Sequence, residues 1–178
     1  NGEIYNDEEL SKKYGIEYFE GQGDIKFVHE MMSEENLRKE LIKYSEGIYS
    51  IASYNIKEQS LIFCKDIFGI KPLYESINNS EICISSSPLA VLTLSNKNVQ
   101  LDQEGVAKYL LLRETGKLQS IYSSVSSVEP GIIFKYSNNR LENIYEYKIK
   151  NLFIDNKSQF QEATREETLK SAKECITM

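Results

Sequence analysis

The chain has no tryptophan, one histidine (His29), three cysteines and three prolines in 178 residues. A single imidazole excludes any catalytic scheme that needs two. The cysteines, Cys64, Cys83 and Cys175, are far apart and odd in number, and no C-x-x-C pair exists. Structural zinc needs about four clustered ligands, so no metal site is expected, and neither is a disulfide framework. Reduced thiols fit a cytoplasmic protein. Long apolar runs are also missing, so no segment is expected to span a membrane. No charged stretch followed by an apolar one opens the chain, so no signal peptide is expected. The net charge of −6 is spread along the sequence, and nothing forms the basic stripe that nucleic-acid binding requires.

What is present is ordinary for a globular protein: 40% hydrophobic and 27% charged residues. The length suffices for one full core, or for one domain and part of another. Asn1 to Tyr5 reads as a turn running into a short extended segment, and Asp7 starts a helical stretch to Tyr14. From Asp24 the spacing of Phe27, Val28, Met31 and Met32 predicts a helix, with the Asp24 carboxylate at the favoured end of its dipole. Ser33 reads as the N-cap of a second helix, striped by Leu37, Leu41 and Tyr44. After Gly47 the period becomes that of strands: Ile48 to Tyr54, Ser60 to Cys64, Leu73 to Ile77 and Glu81 to Ser85. Asn78-Asn79-Ser80 reads as the turn between the last two. A short helix over Pro88 to Leu94 follows, then one capped by Asp102 and carrying Val106, Tyr109, Leu110 and Leu111. Ile132 to Tyr136 and Leu141 to Ile149 form a hairpin across Ser137-Asn138-Asn139, and a helical pattern runs from Ser158. Hairpins and helices in separate runs predict an α+β fold with antiparallel sheets, not a parallel βαβ sheet.

Asn1-Gly2 admits two readings. As a dipeptide, Asn-Gly is a common two-residue hairpin turn. The same geometry can also aim the Asn1 side-chain amide and the Gly2 backbone N–H at one spot, as a tetrahedral oxyanion requires. Glu3 and Asp24 are either solvated surface carboxylates or a pair suited to an α-ammonium group. The block Lys65-Asp66-Ile67-Phe68-Gly69-Ile70-Lys71-Pro72-Leu73-Tyr74 reads as a stiff structural connection between strands, with Pro72 fixing the backbone.

Taken in order, Asn1-Gly2-Glu3-Ile4-Tyr5-Asn6, Gly23-Asp24, Gly47 to Ala52, Lys65 to Tyr74, Leu101-Asp102 with Tyr109-Leu110, and Pro130-Gly131 resemble the class II glutamine amidotransferase domain of glutamine-hydrolysing asparagine synthetases. The resemblance implies an N-terminal-nucleophile hydrolase fold, an αββα sandwich. It implies an oxyanion hole at Asn1 and Gly2, and glutamine binding by Asn1, Gly2, Glu3 and Asp24. It further implies glutamine as substrate, with ammonia passing to an ATP- and Mg2+-dependent domain that amidates aspartate, and a homodimer. By the same comparison, residues 1–150 are the glutaminase domain without its first part. Residues 151–178 are a linker and the first helix toward the synthetase domain. The nucleophilic cysteine would precede Asn1, so the chain alone is expected to be inactive. Lys26, Lys65 and Ser85-Ser86-Ser87 depart from the family pattern. Lys26 and the serine run keep open a non-catalytic glutaminase-like binding domain, and an amidotransferase with another acceptor stays open because the acceptor is chosen in the synthetase domain.

Overall fold

The computed structural model describes residues 1–17, 24–78, 81–116 and 118–148. The helical stretch expected from Ser158, the linker at 151–157 and Cys175 lie outside them. Eight strands and five helices follow in the order β1 (Gly2–Ile4), α1 (Asp7–Tyr14), α2 (Ile25–Ser33), α3 (Glu35–Tyr44), β2 (Gly47–Asn55), β3 (Ser60–Lys65), β4 (Tyr74–Ile77), β5 (Ile82–Ser85), α4 (Pro88–Leu94), α5 (Gln103–Leu112), β6 (Ser126–Ser127), β7 (Ile132–Ser137) and β8 (Arg140–Glu146). They build a five-stranded sheet, β1-β2-β3-β7-β8, and a three-stranded sheet, β5-β4-β6. Every strand pairing in both is antiparallel.

The period-2 alternation of β3 separates the layers. Ile62 and Cys64 face the side covered by α1 to α3, where Leu10, Phe27, Met31, Met32, Leu41 and Ile42 complete a buried cluster. Leu61 and Phe63 face the opposite way and meet Leu73, Val128, Ile82 and Ile84, which belong to the second sheet and its flanks. Beyond that sheet, Val91 and Leu92 of α4 pack on Tyr74, Cys83 and Val125. The order helices, sheet, sheet, helix is the αββα sandwich expected from the sequence. Among the described residues no helix is long and apolar enough to cross a membrane.

Two local readings are corrected. Asn1-Gly2 is not a hairpin turn, because Gly2 already pairs with Tyr49 as the first residue of β1. Ser33 ends α2 and gives its hydroxyl to the His29 carbonyl, while Glu34 is the N-cap of α3. The junction is held instead by buried Arg38, whose Nε and Nη2 donate to the Met32 and Ser33 carbonyls at 2.6 and 3.1 Å. Those are the unsatisfied carbonyls at the end of α2. On α5, Tyr109, Leu110 and Leu111 are exposed and Val106 is half-buried, and the buried contact is made by Gly105 against the Ser120 carbonyl.

Candidate active site

The site is assembled on β1, the first strand of the larger sheet. Asn1 exchanges both backbone hydrogen bonds with Ser50, at 2.7 and 3.0 Å. In an antiparallel ladder the next residue then turns its N–H away from the partner strand. Gly2 therefore aims its N–H outward, opposite Tyr49, whose own N–H and carbonyl are engaged with Asp66 at 3.3 and 3.0 Å. Two residues further, Ile4 turns outward again, and its N–H donates to Asp24 Oδ2 at 2.9 Å. Side chains alternate with the same period. Ile4 goes into the core beneath α1 to α3, so Asn1 and Glu3 share the opposite face.

Two glycines set how closely β1 lies on β2. Gly2 sits at φ +123°, and a Cβ there would fall 2.0 Å from the Ile48 carbonyl oxygen. From the other strand, a Cβ on Gly47 would fall 2.3 Å from the Glu3 carbonyl oxygen. Neither contact tolerates a methyl group.

Asp24 occupies the N-cap position of α2 but makes no side-chain cap bond to that helix. Its carboxylate reaches across to β1 instead and couples the helix start to the strand. Among the described residues Oδ1 makes no further hydrogen bond. Asp7, at the start of α1, belongs to the same neighbourhood: burial raises its carboxyl above the usual carboxylate range, and the nearby Asp24 charge adds to the rise. Sequence reasoning did not single out Asp7. The acidic triplet it opens reads as an ordinary helix start.

Asp66 was also hidden inside a block read as structural. It is 2% exposed and accepts from the backbone N–H groups of Phe68, Ile70, Lys71 and Tyr49 at 3.0 to 3.5 Å. One buried carboxylate thus shapes the 66–71 loop and steadies Tyr49 behind Gly2. Its neighbour Lys65 is 3% exposed and gives Nζ to Ser127 Oγ at 3.0 Å. Burial holds that ammonium below the usual lysine range. Lys65 borders a cavity of about 740 Å3 with Phe68, Gly69, Tyr109 and Arg113. None of Asn1, Gly2, Glu3 and Asp24 borders it.

Cys64 is fully buried on β3, and burial pushes its thiol up to about 12. At neutral pH it is a small apolar core residue without nucleophilic character. Cys83 lies half-buried on β5 in the other sheet. Among the described residues no cluster of three or more histidine, cysteine or carboxylate side chains is placed to hold a metal ion.

The two-sheet sandwich with helical outer layers is an N-terminal-nucleophile hydrolase fold. A solved structure of glutamine phosphoribosylpyrophosphate amidotransferase from Bacillus subtilis superposes with a TM-score of 0.54 at 14% identity, covering 83% of this chain and 28% of that one. The chain belongs to the glutamine amidotransferase domain family, whose model matches residues 1–148. It is 25% identical over 134 residues to asparagine synthetase [glutamine-hydrolyzing] 1 of Bacillus subtilis, covering 75% of this chain and 21% of that protein. It is 27% identical over 154 residues to a putative asparagine synthetase [glutamine-hydrolyzing] 2 of Methanocaldococcus jannaschii, covering 84% of this chain and 29% of that protein. The chain therefore spans less than a third of the length of these relatives.

Proposed function

We propose that this domain hydrolyses glutamine to glutamate and ammonia, as the glutaminase part of a glutamine-dependent asparagine synthetase. The observation that carries the reading is the pair of outward N–H groups on β1. One, on Gly2, points away from β2; the other, on Ile4, is fastened to Asp24. Alternate residues of a strand lie roughly 6.8 Å apart. The α-nitrogen and side-chain carbonyl of an extended glutamine are roughly 5 Å apart, from ordinary bond lengths. A glutamine ammonium on the free Asp24 oxygen, with Glu3 nearby, thus brings its carboxamide toward Gly2. The Gly2 N–H and the Asn1 side-chain amide would then stabilise the oxyanion formed by thiolate attack. Loss of one such donor costs about 3 kcal/mol of barrier lowering. Neither described cysteine supplies the thiolate, given the burial of Cys64 and the position of Cys83. ATP, Mg2+ and aspartate would act in a further domain, and no step at Gly2 or Asp24 passes through them.

Two measurements test the reading. In the full-length protein, [amide-15N]glutamine should deliver its label to asparagine when aspartate and ATP are supplied; label recovered only in another amide would refute the acceptor. In the present chain, Asp24→Asn should weaken L-glutamine binding roughly tenfold to a hundredfold, the worth of one hydrogen bond to a charged group. Unchanged affinity would remove Asp24 from the site.

A further inference from the structure

Asn6 stands at the N-cap of α1, where asparagine is among the strongest capping residues, yet its side chain makes no cap bond to that helix. Only its carbonyl serves α1, accepting from the Leu10 N–H at 3.0 Å. The side chain is spent elsewhere. Nδ2 donates to the Tyr44 carbonyl at 3.0 Å, and Oδ1 accepts from the Glu46 N–H at 2.9 Å. Tyr44 is the last residue of α3, so its carbonyl is one that the helix leaves without an internal partner. The Glu46 carbonyl in turn accepts from the Tyr5 N–H at 2.7 Å, and Ile4 pairs with Gly47 next to it. One carboxamide thus carries the β1–β2 ladder past the end of β1. Little else sets that register. β1 has three residues, begins with a glycine and buries only Ile4, and register is weakly specified in strands of this kind. A carboxamide holds a donor and an acceptor on one rigid group, so it meets Tyr44 and Glu46 together only when Asn6 stands opposite both.

We infer that Asn6 is a positioning residue for the proposed glutamine site: it locks β1 in register on β2 and so fixes where the Gly2 N–H and the Asn1 side chain are presented. The inference rests on the function proposed above. Asn6 lies four residues from Gly2, roughly 14 Å along an extended strand. It therefore acts through the backbone of β1 and not by contact with the reacting carboxamide. Chains that leave the competent register bind nothing at Gly2, and the apparent affinity falls by the fraction that leaves.

Two substitutions in the chain test this, read by the Gly2 and Glu46 amide signals and by titration with L-glutamine. Asn6→Ser keeps a good cap for α1 but is too short to hold Tyr44 and Glu46 at once. It should still melt cooperatively, displace the Gly2 amide signal and weaken L-glutamine binding about tenfold. Asn6→Asp keeps the shape and the acceptor but, ionised at pH 7, has no donor for the Tyr44 carbonyl. Protonation restores an O–H donor there, so its Gly2 and Glu46 signals should return toward those of the unsubstituted chain as pH falls toward about 4. A general loss of packing would show no such return. Gly2 signals and glutamine affinity that neither substitution moves at pH 7 overturn the inference, and so does an Asn6→Asp chain whose signals fail to return. If the unsubstituted chain binds no L-glutamine while Asn6→Ser still displaces the Gly2 signal, the function proposed above fails and the hold of Asn6 on β1 stands.

Discussion

Replacing Gly47 by alanine tests whether backbone contact between β1 and β2 holds the candidate site in place. The added Cβ would stand 2.3 Å from the Glu3 carbonyl oxygen and 2.9 Å from Ile4 Cα. Real Cβ atoms essentially never come closer than 3.0 Å, so Glu3 must retreat by at least 0.7 Å, the difference between 3.0 and 2.3 Å. Both obstructing atoms are backbone, so no side chain can swing aside. Overpacking of this kind costs typically 1–3 kcal/mol. For a protein of this size each kcal/mol lowers the melting temperature by about 2–4 °C, so Gly47→Ala should melt roughly 2 to 12 °C lower. The retreat also carries Gly2 and Ile4 with it and loosens the 2.9 Å bond to Asp24. A misplacement near 1 Å can cost on the order of a hundredfold in activity. L-glutamine affinity in the chain, and glutaminase rate in the full-length protein, should therefore both fall. Differential scanning calorimetry and a glutamine titration on the same sample decide the matter. A variant with unchanged melting and unchanged glutamine affinity would refute the argument that the glycine is there for space.

Other consequences are open to direct measurement. Asp66→Asn should destabilise the chain by about 3 kcal/mol in urea unfolding, because a buried anion shared among four backbone donors loses its charge-assisted bonds; a change below 1 kcal/mol would count against its bracing role. Burial raises the Glu75 carboxyl above its ordinary 4.5, so the folded state holds the proton more tightly than the unfolded one. Its stabilising contribution is complete below 4.5 and is lost as pH rises through the raised value; Glu75→Gln should remove that part of the pH–stability slope, and an identical slope in the variant would sink the assignment. Cys64, buried with its thiol near 12, should resist alkylation at pH 8 in the folded chain while half-buried Cys83 reacts first; mass spectrometry of tryptic peptides reports the order.

Most of the fold was legible because its strands carry a clean alternation and its turns carry their own chemistry. Asn138 and Asn139 both adopt positive φ in the β7–β8 turn, as the sequence suggests. Asp102 caps α5 through the Glu104 N–H at 3.2 Å, also as expected. The failures share one cause, which is that a local pattern cannot say what lies across from it. Asn1-Gly2 looks like a turn until β2 is laid beside it. Ser33 looks like a cap until Arg38 arrives from the next helix. At the candidate site, Asn1, Gly2, Glu3 and Asp24 could be named from an ordered set of short motifs. The bond from Asp24 to Ile4 could not, because it joins residues twenty positions apart through a main-chain donor that has no sequence signature.

That bond also gives the protein an internal reporter. Helix α2 is fastened at both ends by side-chain-to-backbone links, Asp24 to Ile4 at its start and Arg38 to Met32 and Ser33 at its finish. The Ile4 amide hydrogen is protected only while the first of these holds. Its exchange with solvent therefore clocks the lifting of the helix start from β1, and a ligand bridging Asp24 and Gly2 would slow that single amide ahead of its neighbours.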